Sequence, residues 1–254
     1  ASLISAALLC MGAFFVFFTS VHNGTQSVSA TRDIYASVSY LSTESAFNFA
    51  HLSSTSPSVS ASSAILIVAD TAEIVYAKDP DRRMSMASTT KIMTAIVAIE
   101  NGDVKRKVTI PKDAVGIEGS SIYLYEGEEL RLIDLLYALM LESANDAANV
   151  LAERVAGSVP LFVAKMNARA AELGMSGTKY VNPHGEHNEG HYTTAKDLAI
   201  LLSEIVKHEK YCAVAAPRQY RKEPTNKYKL ERIFNNTNRL INPNSSFYNE
   251  YVIA

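Results

Sequence analysis

The sequence is poor in three features that would each have suggested a class. It has only two cysteines in 254 residues, Cys10 and Cys212, far apart and in segments of different character. Neither a disulfide framework nor a cysteine metal cluster is suggested. It has no excess of charge: 24 lysines and arginines face 26 aspartates and glutamates, a net charge of −2. With no basic face visible, nucleic acid is not expected as a partner. No internal repeat is evident either. What remains is a chain long enough for one large domain or two small ones, with a sizeable core.

The N-terminal part is unlike the rest. Ser2 to Thr19 is nearly uncharged and apolar (LISAALLCMGAFFVFF), and Val28-Ser29-Ala30 offers the small residues that suit signal-peptide cleavage. The run is also near the lower limit for spanning a bilayer. Residues 1–30 are therefore expected to be a signal peptide or a membrane anchor, placing the protein outside the cytoplasm, secreted or at the wall face of the membrane. Cys10 follows Ala7-Leu8-Leu9, a poor context for lipid attachment. The chain starts at Ala1 without a methionine or a basic leader, so its N-terminus reads as incomplete. Residues 31–63 are serine-rich with few charges and read as a flexible spacer, leaving 64–254 as the folded domain.

That domain is organised around Ala87-Ser88-Thr89-Thr90-Lys91-Ile92-Met93-Thr94-Ala95-Ile96-Val97-Ala98-Ile99-Glu100. The pattern predicts a helix capped by Ser88, stopped at Asn101-Gly102 and buried on most sides. Ser88 and Lys91 lie about one turn apart and share a face. A serine hydroxyl becomes a good nucleophile when a base removes its proton, and a lysine can be that base only when neutral. Burial lowers a lysine pKa by disfavouring the charged form. The helix start adds free N–H groups where negative charge would develop. Alone, a pattern this short reads more simply as a capping serine followed by a surface lysine.

Around it, Ala64–Val68 and Glu73–Ala77 predict a β-hairpin, and Lys107–Ile110 and Ser121–Leu124 further extended pieces. Leucines at helical spacing run from Leu132 to Glu142, stop at Ser143-Ala144-Asn145, and a second helix follows from Asp146 to Ala156. A tight turn between helices can present polar side chains to a cleft, although serine and asparagine are ordinary turn residues. Ser158 and Thr193 or Thr194 open two more helices. Between them, residues 182–191 hold three histidines and two glutamates, a composition that could ligate zinc, but glycine and proline there favour a polar loop.

Ser88-Thr89-Thr90-Lys91 and Ser143-Ala144-Asn145 match in order and spacing two of the three motifs of penicillin-binding proteins. The surrounding stretches ASTTKIMTAIVAIE, GSSIYLYEGEEL, DLLYALMLESANDAANVLAERVAGS, MNARAAELGM, NPHGE and GHYTTAKDLA resemble the low-molecular-mass D-alanyl-D-alanine carboxypeptidases, a serine-peptidase family. The resemblance runs from Ala61 to about Leu240. It implies an α+β fold of the serine β-lactamase and penicillin-binding-protein type, an antiparallel sheet beside a helical subdomain. It implies Ser88 as nucleophile, Lys91 as general base, Ser143 as proton relay to the leaving amine and Asn145 as a substrate ligand that also keeps Lys91 in place. The implied partners are peptidoglycan stem peptides ending in D-Ala-D-Ala and β-lactam antibiotics, with no metal or cofactor; membrane-surface association stays open.

The sequence departs from that pattern in places. The third motif, Lys-Thr-Gly, is absent, and the chain stops at Ala254 where it would be due, so the sequence reads as truncated and the sheet as incomplete. On that reading the chain by itself would be inactive. Met86 stands where proline is common and Glu186 where an apolar residue is. Three rivals follow: a serine β-lactamase, disfavoured by the lack of Glu-x-x-Leu-Asn after the second motif; a non-catalytic relative that binds wall peptides; and a metal-dependent wall peptidase.

Overall fold

Thr90 to Asn101 is apolar on nearly every side, and the helix it forms is the one on which the others pack. The computed structural model describes residues 58–248 in full, with the backbone of two strands nearer the N-terminus. The chain runs through β1 (Ser5–Met11), β2 (Phe14–Ser20), β3 (Ser63–Val68) and β4 (Ile74–Lys78), then a 3-10 turn (Ala87–Thr89) into α1 (Thr90–Asn101). Next come β5 (Lys107–Thr109), β6 (Glu129–Arg131), α2 (Leu132–Leu141), α3 (Asn145–Ala156) and α4 (Val159–Glu172). Helices α5 (Ala195–Ile205) and α6 (Glu209–Ala215) and the hairpin β7 (Gln219–Lys222) to β8 (Arg232–Asn235) complete it.

The main sheet has the order β1-β2-β3-β4 and is antiparallel except for the parallel β2–β3 pair. Two separate ribbons, β5–β6 and β7–β8, are antiparallel. Helix α5 lies against the sheet, whereas α1 is wrapped by α2, α3, α4 and α6. Every residue of α1 from Thr90 to Ile99 is buried. Met93 and Ile96 pack in one core with Leu135, Leu136 and Phe162, and each such side chain contributes about 1.5–3 kcal/mol by leaving water. This is an α+β arrangement of sheet and helical layers, with the Ser88 turn entering the helical layer.

Local chemistry explains the helix boundaries. Ser158 caps α4 by accepting the Leu161 N–H at 3.3 Å, with Pro160 in the first turn. Thr194 caps α5 by accepting the Asp197 N–H at 3.0 Å. Gly157 ends α3 at φ +86, where a side chain would be strained. Gly102 ends α1 for a different reason: its φ is −114, but a Cβ there would lie 2.8 Å from Ala98 O and 3.1 Å from Val155 Cγ2. Packing demands that glycine.

Several expectations need correction. Ser88 makes no capping hydrogen bond to α1; its hydroxyl is engaged elsewhere. Ser121 to Leu124 belongs to no strand and is not extended throughout, because Tyr123 takes φ +55; the partner of β5 is Glu129–Arg131. Ala61 and Ser63, within the stretch read as a spacer, are buried, and Lys78 Nζ donates to Val59 O at 3.0 Å and Ala61 O at 2.7 Å. Residues 31–57 lie outside the described residues, as does most of 1–30. The parts of that N-terminal run that are described, Ser5–Met11 and Phe14–Ser20, form strands that pair beside β3.

Candidate active site

The pair at the start of α1 is in hydrogen-bond contact: Lys91 Nζ lies 3.2 Å from Ser88 Oγ. Lys91 is buried, and Nζ also donates to His184 O at 2.7 Å. Burial lowers the Lys91 pKa from 10.5 to about 8. A neutral Lys91 in this place can donate one N–H to His184 O while its lone pair faces the Ser88 hydroxyl. That is the geometry a serine–amine general-base pair requires.

The turn that presents Ser88 is strained and held from several sides. Ala87 has φ +45, a left-handed backbone that is costly for a residue with a Cβ. Thr89 Oγ1 donates to Met86 O at 2.5 Å, and Thr90 Oγ1 donates to Ala87 O at 2.7 Å. The other half of the clamp is the loop of residues 182–191. Thr94 Oγ1 donates to Pro183 O at 2.6 Å, and His184 O receives the Lys91 amine. Gly185, at φ +93, passes so close that a Cβ there would stand 1.9 Å from Ala87 O. Asn182 shapes this bend by accepting the His184 and Gly185 N–H groups at 3.3 and 2.7 Å.

His191 completes the clamp. Its Nδ1 accepts the Val181 N–H at 3.0 Å, which leaves the proton on Nε2, 2.7 Å from Thr90 Oγ1. A chain of donors therefore runs from Val181 through His191 and Thr90 to Ala87 O, ending beside the serine. Burial, reinforced by the charge of His184, pushes the His191 pKa down to about 4, so the ring is neutral near pH 7. The His184 pKa is also lowered, first by burial and then by the Lys91 charge. Two of the three histidines that raised a zinc reading are thus engaged: His191 with Val181 and Thr90, and His184 Nδ1 with the Glu186 N–H at 3.2 Å. Among the described residues, no group of three His, Cys, Asp or Glu is placed to hold a metal.

The second predicted pair sits differently. Ser143, at φ +57, and Asn145 form the turn between α2 and α3, and α3 packs against α1. Neither residue hydrogen-bonds Ser88 or Lys91. Asn145 Nδ2 donates to Glu118 O at 2.7 Å, and the Asn145 N–H donates to Ser120 O at 2.7 Å. The partner that holds Lys91 is His184 O rather than Asn145, because the asparagine amide is turned outward to the 118–120 loop. Thr90, Thr94, Gly185 and His191 were not singled out as site residues from sequence. NPHGE and GHYTTAKDLA were visible as segments, but nothing in them announces which carbonyl faces Lys91.

Comparison with known proteins places the chain in a family. A family model described as D-alanyl-D-alanine carboxypeptidase matches residues 50–249. The chain belongs to that family. It is similar to the D-alanyl-D-alanine carboxypeptidase DacF of Bacillus subtilis, 40% identical over 187 residues, covering 71% of this chain and 47% of that protein. The D-alanyl-D-alanine carboxypeptidase of Streptomyces sp. strain K15 is 33% identical over 178 residues, covering 65% of this chain and 61% of that protein. The chain thus spans about half the length of the Bacillus carboxypeptidase it matches. Among solved structures, the Streptomyces K15 DD-transpeptidase aligns with a TM-score of 0.69 at 32% identity, covering 76% of this chain and 79% of that one. A D-alanyl-D-alanine carboxypeptidase from Mycobacterium tuberculosis aligns at 0.69 with 27% identity, covering 74% and 71%. The penicillin-binding-protein fold expected from the sequence is therefore the fold observed.

Proposed function

We propose that the protein removes the terminal D-alanine from peptidoglycan stem peptides through an acyl-enzyme on Ser88, and that β-lactams acylate the same residue. The observation that carries this reading is the buried Ser88–Lys91 contact at 3.2 Å. In the reaction, Lys91 takes the hydroxyl proton as Ser88 Oγ bonds to the carbonyl carbon between the two D-alanines. Collapse of the tetrahedral intermediate breaks the C–N bond, and the departing amine receives a proton by way of Ser143. Water then attacks the ester, Ser88 recovers its proton, and the shortened peptide leaves. Asn145 hydrogen-bonds the substrate backbone. The Ser88 N–H, at the start of α1, supports the oxyanion.

Family membership supports the reaction class and an extracytoplasmic site of action at the cell wall. The apolar N-terminal run supports export as a signal peptide or anchor. Among the described residues, no single helix is long and apolar enough to cross a membrane. The test is intact-mass spectrometry of the intact protein after incubation with a penicillin, followed by peptide mapping. A stable adduct on the Ser88 peptide is expected. Rapid drug turnover without an adduct would favour a β-lactamase, and neither adduct nor turnover a non-catalytic binder.

A further inference from the structure

Next to the second motif, one loop holds backbone strain that the acylation chemistry does not use. Tyr123 has φ +55, yet its side chain is 79% exposed. A bulky residue takes up left-handed backbone only where its surroundings impose it, and such residues cluster at ligand-binding sites. Here the surroundings do impose it. The buried Asp146 carboxylate accepts the Ser121 hydroxyl at 2.7 Å and the Ile122 and Leu124 N–H groups at 3.3 and 3.1 Å. Ser121 Oγ accepts the Tyr123 N–H at 3.0 Å. From the other side, the Arg232 guanidinium donates to Ile122 O at 2.6 Å and Tyr123 O at 3.4 Å. Glu128 accepts the Tyr125 N–H at 3.1 Å and pairs with Arg232 at 2.9 Å.

This scaffold buries Ile122 and Leu124 and presents two phenol rings to solvent, those of Tyr123 and Tyr125, the latter 51% exposed. Tyr125 stacks on Tyr228 with centroids 6.2 Å apart, and Arg232 lies over the Tyr228 ring at 4.0 Å. The loop joins the candidate active site directly, since its residues Glu118 and Ser120 receive the Asn145 hydrogen bonds. The loop that carries the two tyrosines is therefore tied to the Ser143–Asn145 turn.

We propose that Tyr123 and Tyr125 form a stacking platform for a pyranose ring of the glycan strand that bears the stem peptide. The inference rests on the carboxypeptidase reading. Its chemistry follows from the rings themselves. A tyrosine offers an apolar face with a polar tip. A pyranose offers a face of axial C–H bonds rimmed by hydroxyl and acetamido groups. Arg232 is engaged with Glu128 and with backbone carbonyls and is not available to a ligand. The exposed charges on these segments, Glu118, Glu126 and Lys227, are mixed in sign and suit a neutral ligand.

The test compares release of D-alanine by the intact protein from one pentapeptide in two forms, free and attached to its N-acetylated disaccharide. The wild type is expected to prefer the disaccharide form. Tyr123→Ala and Tyr125→Ala should each lose a factor of roughly 3 to 10 in kcat/KM on that form alone, the scale of one aromatic face. A second variant, Tyr123→Gly, relieves the positive φ. It is expected to match or exceed the wild-type melting temperature while losing the same preference, which separates a binding role from a folding one. Equal losses on both forms would make Tyr123 a peptide contact and overturn the proposal, as would no loss on either. Release from the free peptide with no preference in the wild type would leave the carboxypeptidase reading standing and the platform refuted. If the wild type released D-alanine from neither form, both would fall.

Discussion

The two halves of the candidate site are held in opposite ways. The Ser88–Lys91 half is clamped inward: the Lys91 amine and the Thr90 and Thr94 hydroxyls beside the strained turn are gripped by the 182–191 loop, and Ser88 is held through Lys91. The Ser143–Asn145 half is tied outward, to the 118–120 loop, and touches neither Ser88 nor Lys91. The inward half needs fixed electrostatics, because a lysine works as a base only while its amine stays dry and neutral. In the proposed mechanism the outward half would serve the leaving group and substrate, and its bonds go to the surface loop of residues 118–120. A single helix pair, α1 and α3, brings the two together.

Changes in the inward half should have the larger effects. Ser88→Ala removes the nucleophile, so covalent labelling by a radioactive or fluorescent penicillin is expected to vanish; labelling at the wild-type level would contradict the assignment. Gly185→Ala forces a Cβ to within 1.9 Å of Ala87 O at φ +93. A loss of roughly 3 kcal/mol or more in unfolding free energy is expected, measurable by denaturant titration, together with slower acylation.

The His191 link should appear as a pH dependence of stability. Its folded-state pKa of about 4 lies below the ordinary 6.5, so the unfolded chain binds the extra proton first as the solution is acidified. Stability is therefore intact above 6.5 and falls as pH drops from 6.5 through 4. Denaturant unfolding at several pH values should show this slope, and His191→Gln should flatten it while lowering stability at pH 7. The smallest effect belongs to the outward half. Asn145→Ala removes one hydrogen bond to Glu118 O, for a stability loss of about 1 kcal/mol. It should slow acylation without moving the pH midpoint, because Asn145 does not touch Lys91.

Much of this was legible from residue pattern. The helix periodicity, the Ser158 and Thr194 caps and the β3–β4 hairpin rest on local rules that survive tertiary context. The Ser88–Lys91 pairing needed only helical spacing. What sequence could not show was long-range and carried by backbone. His184 meets Lys91 through its carbonyl, a group every residue has, so residue type gives no signal. The roles of Gly185 and Gly102 come from what lies opposite them, not from neighbours in the chain. Asn145 was misread in one respect for the same reason: the motif says which residue is there, and the fold says where its amide points. The short β6, β7 and β8 strands and α6 lacked a periodic signature long enough to see.

The central claim is that burial makes Lys91 the base for Ser88. The most direct measurement is the pH dependence of the acylation rate by a β-lactam whose own ionisation is constant over the range studied. The account predicts a rate that rises with pH to a plateau, with a midpoint near the lowered lysine pKa of about 8. Lys91→Arg, which stays charged throughout, should lose both the rate and the rise. A midpoint at the ordinary lysine value of 10.5, or a rate independent of pH, would contradict it.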